Sequence, residues 1–200
     1  MNKTSNSYII IYSAVLVVIV AFLLAFVFSA LKARQDKNVA LDLEKQVLYS
    51  LNIRDLSDEA ADAKYKEVVK ETKTPAGDLY YTCTVDGKTK YVYPLKGMGL
   101  WGGISGFIAV NDDNNTVFGA YFNHEGETAG LGAEIKDNQK WQEKFQGKKI
   151  FKPGSSAIAL GVKKKVENPE NEVDAVTGAT LTSNGVDQML KDGLAKFIKK

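Results

Sequence analysis

An uncharged stretch near the amino terminus limits the possible folds of this chain more than any other feature. No Asp, Glu, Lys or Arg occurs between Lys3 and Lys32, and the residues from Tyr8 to Leu31 are almost all apolar. As a helix with a rise of about 1.5 Å per residue, this stretch would be about 36 Å long, which exceeds the roughly 30 Å of a bilayer's hydrocarbon core. The sequence therefore predicts a tilted transmembrane helix over residues 8–31, preceded by a tail over 1–7.

A cleaved signal peptide is the alternative explanation of this stretch. The apolar region of a signal peptide spans only about 7–15 residues, and no small-x-small cleavage site precedes KARQDK. We therefore expect an uncleaved anchor. Lys32, Arg34 and Lys37 follow the stretch whereas Lys3 precedes it, and this distribution of charge favours a cytoplasmic location for the rest of the chain.

The remaining composition excludes several classes of function. The net charge is only +2, from 26 basic and 24 acidic residues. No basic stripe interleaves with aromatic residues, so we expect no binding of nucleic acid. One cysteine, Cys83, and one histidine, His124, exclude an intramolecular disulfide and the usual zinc clusters. We therefore predict no metal site.

Helical patterns continue after the apolar stretch. Apolar residues recur at every fourth position from Val39 to Leu51, which indicates that the membrane helix is prolonged into a helical stalk over residues 32–56. Ser57 is placed to cap a second helix that runs to about Thr72. Further helices are expected over residues 141–145 and 183–200.

From Asp78 onward the sequence changes to strand patterns. The segments DLYYTCTV and KTKYVYPL flank Asp86-Gly87, a strong signal for a hairpin turn. GISGFIAV and TVFGAYFN form a second pair, and SAIALGVKKKV indicates a further strand. Hairpins in one block with helices around them predict the α+β class, with one soluble domain over residues 57–200 whose antiparallel-rich sheet is flanked by helices.

The stretch KGMGLWGGISG contains a formal dinucleotide-binding pattern at Gly97, Gly99 and Gly102. That pattern requires a helix directly after the glycines, whereas ISGFIAV is β-branched and aromatic and predicts a strand. We therefore reject nucleotide binding of the Rossmann type. Trp101 in this stretch is expected to be either a core residue or a flat wall for a ring-shaped ligand.

A second glycine-rich stretch, HEGETAGLGAE, carries His124 and three glutamates. Its composition is typical of a solvated loop with tight turns, and a hydrolase with Glu125 and Glu127 as paired carboxylates is an alternative. His124 has no identifiable nucleophile to serve as a general base, so we predict no catalytic residue.

The segment DAVTGATLTSNGV concentrates hydroxyl side chains before the last helix. A helix that begins near Thr182 or Ser183 presents unpaired backbone N–H groups and the positive end of its dipole, and both suit a phosphate group. Helix capping explains only one of the four hydroxyls. The residues alone therefore leave two alternatives, a phosphate site beside Thr180 and simple capping.

The same segment resembles a flavinylation motif, Asp-x-x-Ser/Thr-Gly-Ala-Ser/Thr, whose last residue carries FMN through a phosphoester bond. YPLKGMGLWGGISGFIAV, HEGETAGLGAEI and NVALDLEKQVL are also similar to stretches of the C subunits of sodium-translocating NADH:quinone reductases. The resemblance covers nearly the whole chain and implies that residues 57–200 form an FMN-binding domain. The motif positions are filled by Asp174, Thr177, Gly178 and Ala179, with Thr180 as the acceptor.

The resemblance implies a flavin site assembled from separate segments. Trp101 and Leu131 would flank the isoalloxazine ring. Glu127 and Thr128 would hydrogen-bond the edges of the ring or the ribityl chain. Thr182 and the nearby backbone amides would hold the phosphate, and Gly178 and Ala179 would lie beside it.

Other residues have less definite implied roles. Lys163 is either a cation near the flavin or a solvated strand residue. Asp174 would assist either recognition by the enzyme that attaches the flavin or the metal of that enzyme. Ala129 stands where the family usually has proline, and this replacement would loosen the loop. Thr177 stands where serine is usual and keeps the hydroxyl.

The resemblance also implies a place in an electron-transfer chain. Electrons would pass from an iron–sulfur centre in neighbouring membrane subunits to this FMN and on to the FMN of the B subunit, so the chain would be inactive alone. Its partners would be the A, B, D, E and F subunits, the lipid bilayer, and a separate FAD-dependent flavin transferase during maturation. The domain would lie on the periplasmic side of the bacterial inner membrane, against the charge rule, with neighbouring subunits fixing the orientation.

Three other identities compete with this interpretation. The G subunit of the ion-translocating ferredoxin:NAD reductase shares the anchor and the motif. A pilin-like structural protein would carry a glutamate early in the apolar helix, which the stretch between Lys3 and Lys32 lacks. A membrane-anchored module that binds its ligand non-covalently would retain no flavin after denaturation.

Overall fold

The computed structural model describes residues 6–198, and it begins with a long helix, α1, over Asn6–Ser50. The chain divides into two compact units, one up to Asp42 and one from Leu43 onward. Among the described residues, α1 is the one helix that is long and apolar enough to cross a membrane, with a mean hydropathy of 3.1 over its most apolar window. It continues without a break through the boundary expected after residue 31, and it ends six residues before the expected end of the stalk at residue 56.

The second helix, α2, spans Asp58–Val68 and begins where the sequence predicts. The Ser57 hydroxyl accepts a hydrogen bond from the backbone N–H of Ala60 at 3.3 Å, which confirms the cap. The expected end near Thr72 is wrong, because residues 69–73 form an edge strand instead. Their backbone pairs with a strand that follows in the chain, and this pairing overrides the helical pattern.

Five antiparallel strands form one sheet in the order β1-β2-β3-β4-β5. The expected turn at Asp86-Gly87 is confirmed, with φ of 51° and 72°, the positive values that a tight hairpin turn requires. Both expected hairpins are present, which confirms the α+β class. The strands are β1 Val69–Lys73, β2 Leu79–Val85, β3 Lys88–Met98, β4 Gly103–Asn111 and β5 Val117–His124.

The chain after β5 is less regular. Of the strand expected over SAIALGVKKKV, only three residues are extended, because their parallel partner is itself a segment of three residues. The final helix begins at Thr180, three residues before the expected start. The elements are α3 Glu134–Asp137, α4 Gln139–Glu143, β6 Gly161–Lys163, β7 Glu172–Asp174 and α5 Thr180–Phe197.

Helix α5 packs closely against β3, and this contact places its first turn. A Cβ atom at Gly97 of β3 would lie only 2.8 Å from the Cβ of Met189 on α5, and a Cβ at Gly185 would overlap the carbonyl oxygen of Met98. The buried face of α5 joins the larger core cluster, while the opposite face of the sheet packs on a second cluster that includes Val47 of α1. The start of α5 therefore lies beside the end of β3.

Candidate functional site

Three segments meet at one end of the sheet and enclose a pocket of about 380 Å³. They are the tip of the β3–β4 hairpin, the glycine-rich loop after β5, and the first turn of α5. Eight of the residues expected at a flavin site are thereby brought together, although they are spread over about 80 positions of the chain. The lining residues are Leu100, Trp101, Glu127, Thr128, Leu131, Gly132, Gly178, Ala179, Thr180, Leu181 and Thr182.

The first wall of the pocket is the tip of the β3–β4 hairpin. The backbone N–H of Gly99 donates to the carbonyl of Gly102 at 2.8 Å and closes the hairpin, which leaves Leu100 and Trp101 at its tip. The Trp101 side chain is 69% exposed. A core role for this residue is therefore wrong, and the indole is available as a flat wall.

The second wall is the start of α5, whose first residue, Thr180, is exposed. The N–H groups of a first helical turn have no acceptor within the helix. The N-cap residue of α5, Ala179, makes no side-chain hydrogen bond to this turn. The exposed Thr180 hydroxyl and the N–H groups of this first turn thus belong to residues that line one pocket, a combination suited to an anionic group.

Gly178 allows the chain to turn into this helix beside the loop. Its φ is 78°, a value that other residues rarely adopt. A Cβ atom at this position would also approach the Leu131 side chain to 2.8 Å. The Leu131 side chain therefore packs against the backbone that leads into Thr180.

The four hydroxyls before and within α5 divide into two buried and two exposed groups. The Thr182 hydroxyl donates to Glu127 Oε2 at 2.6 Å, and the Ser183 hydroxyl accepts from the backbone N–H of Val176 at 3.1 Å. Both side chains hold loops in place. Thr177 and Thr180 are the exposed hydroxyls, and of these only Thr180 lines the pocket.

Glu127 is buried in the wall of the pocket, and both of its carboxylate oxygens accept hydrogen bonds. Oε1 accepts from the backbone N–H of Trp101 at 2.9 Å, and Oε2 accepts from Thr182. Burial raises the pKa of this carboxyl, but the hydrogen bonds from Thr182, Trp101 and Leu100 outweigh that effect and hold the pKa below its ordinary value. The carboxylate is therefore ionised at neutral pH.

Three of the expected site residues lie away from the pocket. Asp174 and Thr177 line a neighbouring cleft of about 490 Å³, where Asp174 forms an ion pair with Lys144 at 2.8 Å. Lys163 lies on β6 and pairs with Asp187 of α5 at 3.4 Å. The expected flavinylation motif thus spans two surfaces, with its first four residues at the cleft and its last three at the pocket.

Sequence reasoning missed two apolar residues of the pocket, Leu100 and Leu181. Leu181 is 60% exposed on the first turn of α5. A large apolar residue among hydroxyls, outside the buried face of α5, was the signal that could have identified it. No group of three or more His, Cys, Asp or Glu side chains placed to hold a metal ion occurs among residues 6–198.

Comparisons with known proteins identify the same region. The FMN-binding domain family matches residues 99–195, a segment that contains every residue lining the pocket. The C subunit of the Na(+)-translocating NADH-quinone reductase from Haemophilus ducreyi is 47% identical over 104 residues, which cover 52% of this chain and 40% of that protein. The corresponding protein of Pasteurella multocida is 44% identical over 118 residues, which cover 56% of this chain and 45% of that one. The chain thus spans less than half the length of these relatives.

Solved structures agree with the sequence comparisons. The crystal structure of the corresponding C subunit from Parabacteroides distasonis is 37% identical, covers 84% of this chain and 94% of its own, and superposes with a TM-score of 0.75. The Shewanella oneidensis protein named NqrC, at 23% identity and a TM-score of 0.63, shares the fold.

Proposed function

Because the chain belongs to the family of C subunits of the Na(+)-translocating NADH-quinone reductase, we propose that its domain carries FMN on Thr180 and relays electrons within that membrane complex. The observation that carries the proposal is the placement of one exposed hydroxyl, Thr180, at the start of α5 and at the edge of an apolar pocket.

The residues of the pocket fit FMN chemically. Trp101, Leu131 and Leu181 offer apolar surface to a planar ring, and each of them is more than 40% exposed without a ligand. The first turn of α5 offers backbone N–H groups to a phosphate. Gly178 and Ala179 keep the approach to Thr180 free of bulky side chains.

Attachment is a transfer of a phosphoryl group to the Thr180 oxygen. That oxygen forms a bond to the flavin-side phosphorus of FAD, the phosphoanhydride bond breaks, AMP leaves, and the hydroxyl proton is released. A separate flavin transferase supplies FAD and the catalytic groups. Asp174 and Thr177, which lie outside the pocket, remain accessible to that enzyme.

Bound FMN supplies the redox chemistry of the domain, and the protein supplies position and electrostatics. Trp101 and Leu131 would hold the ring, and the α5 N–H groups would stabilise the phosphate charge. We propose that the electron donor is an iron–sulfur centre in a neighbouring subunit and that the acceptor is the FMN of the B subunit. The A, B, D, E and F subunits and the bilayer would be the partners, with α1 as the anchor and the domain in the periplasm.

The test uses the full chain produced together with a FAD-dependent flavin transferase. The wild-type chain should fluoresce as a flavoprotein after denaturing electrophoresis, and its intact mass should exceed that of the unmodified chain by one FMN less one water. Thr180→Ser keeps a hydroxyl and should retain the adduct, whereas Thr180→Ala should lose it. An adduct on T180A, or an unmodified wild-type chain in the presence of active transferase, would refute the assignment.

A further inference from the structure

One buried carboxylate connects all three segments that enclose the pocket. Glu127, on the loop after β5, accepts hydrogen bonds from Trp101 on the hairpin tip at 2.9 Å and from Thr182 on α5 at 2.6 Å. Its own backbone N–H donates to His124 Nδ1 at 3.2 Å. We call the three residues Trp101, Glu127 and Thr182, with these bonds, the Glu127 bridge.

Two glycines provide the space that the carboxylate occupies. A Cβ atom at Gly99 would overlap Glu127 Oε1, and a Cβ at Gly132 would overlap Oε2 and lie 2.7 Å from the Thr182 hydroxyl. One glycine from each glycine-rich stretch therefore provides room for Glu127 between the hairpin tip and α5.

The bridge fixes the backbone of residues whose other atoms face the pocket. The N–H of Trp101 is held while its indole is 69% exposed, and the Thr182 side chain is 1% exposed while the preceding residues, Thr180 and Leu181, are exposed. A rigid backbone under exposed side chains is the arrangement expected of a preformed binding site.

From this geometry we propose that Glu127 is a positioning residue of the flavin site. Its carboxylate sets the distance between the indole of Trp101 and the start of α5, and it places a fixed negative charge against the pocket. The inference rests on the proposed FMN site and assigns Glu127 a role beneath the flavin, in place of a direct hydrogen bond to it. A negative charge beside a flavin opposes the addition of electrons, so Glu127 lowers the reduction potential of the bound group.

The first experiment measures the bridge in the flavin-free full chain in detergent. Hydrogen exchange of the peptide spanning residues 98–103 should become about tenfold faster or more in Glu127→Ala, because the bond from Trp101 to a charged acceptor is lost. Glu127→Gln should stay within about threefold of wild type, since its amide oxygen accepts from Trp101 and its NH₂ group donates to the Thr182 oxygen. Glu125→Ala is the matched control at the Trp101 amide, because this neighbouring glutamate is exposed and its carboxylate accepts instead from the N–H of Gly103, at 3.2 Å. Within this peptide, E125A should therefore change exchange at Gly103 and leave Trp101 protected.

The second experiment measures the reduction potential and the fluorescence anisotropy of the flavin on the loaded chain. E127Q should keep the wild-type anisotropy and show a higher potential, whereas E127A should lose anisotropy as well. A purely structural role of Glu127 would leave the potential of E127Q unchanged, and that result overturns the proposal.

If E127A does not fold, the test compares hydrogen exchange in Thr182→Val with that in Thr182→Ser. The valine removes the hydroxyl that joins Glu127 to α5, so exchange of residues 180–185 should rise, and serine should restore protection. Equal exchange in E127A and E125A, or in T182V and T182S, overturns the bridge. The exchange measurements need no flavin. A chain that carries no flavin would therefore refute the proposed function, whereas the Glu127 bridge would still be tested by hydrogen exchange.

Discussion

A methyl group at Gly132 should destabilise the domain by displacing the Glu127 carboxylate. The added Cβ would overlap Glu127 Oε2 and lie 2.7 Å from the Thr182 hydroxyl, so the hydrogen bond of 2.6 Å between them cannot persist. A hydrogen bond to a charged group contributes about 1.5–3 kcal/mol, and crowding in a packed site costs about 1–3 kcal/mol more.

Two effects partly offset that loss. The carboxylate is the far end of a flexible side chain and can move away from the new methyl group, and Gly→Ala lowers the entropy of the unfolded chain by about 0.4–1 kcal/mol where the backbone allows alanine. We therefore expect Gly132→Ala to lower the free energy of unfolding by about 2–3 kcal/mol. For a domain of this size, that loss corresponds to a decrease in Tm of about 5–10 °C.

The assay is thermal unfolding of the full chain in detergent, followed by near-ultraviolet circular dichroism. Gly126→Ala is the matched control on the same loop, because a Cβ there meets only the Trp101 carbonyl oxygen, at 3.9 Å. Its effect should stay within about 0.5 kcal/mol. In a Thr182→Val background the cost of G132A should shrink, since the hydrogen bond is already absent. Equal stability of G132A and G126A would refute the steric argument.

Other changes test separate parts of the domain. Leu131 N donates to Thr128 O at 3.1 Å and Gly130 has φ of 71°, as in a type II turn. Ala129→Pro should therefore raise the free energy of unfolding by about 0.4–1 kcal/mol in a urea titration. A lower midpoint of the titration would contradict this. Burial raises the pKa of Cys83 from 9.0 to about 12, so at pH 9 the folded chain should hold roughly 500-fold less thiolate than the unfolded chain and react correspondingly slowly with a thiol reagent. Because the unfolded thiol ionises first, this group should reduce stability as pH rises from about 9 to 12. Glu127 has the opposite sign, since its pKa lies below 4.5 in the folded domain. Its stabilisation should be complete above that pH and disappear as pH falls through the lower folded value, and acid titration of E127Q should lack this component.

The parts of the fold that were predictable from sequence are those fixed by local chemistry. Asp86-Gly87 adopts the positive φ values of a tight turn because of those two residues alone, and Ser57 caps α2 within one turn. Residues 69–73 were misassigned because their state depends on pairing with β2, a contact that local periodicity does not encode. The same holds for β6 and β7, which are extended only where they meet each other.

The candidate site divides in the same way. Thr180 was predictable because a contiguous motif surrounds it, and its exposure at the start of α5 agrees with an acceptor role. The hydrogen bond between Glu127 and Thr182 joins residues 55 positions apart, so no local sequence pattern indicates that these two residues bind each other. Both residues are expected at the flavin and both line the pocket, and their side chains are hydrogen-bonded to each other.

The small residues of this chain explain why distant segments form one pocket. Helix α5 can deliver Thr180 to the hairpin tip only if it packs closely on β3, and the contacts of Gly97 with Met189 and of Gly185 with Met98 leave no space for a side chain. Helix packing thus determines where the hydroxyl lies, and the space around Glu127 determines how far the hairpin tip stands from it. Since helix packing fixes one distance and the hydrogen bonds of Glu127 fix the other, we expect the pocket to form before any ligand binds, so that folding provides the entropy of ordering it.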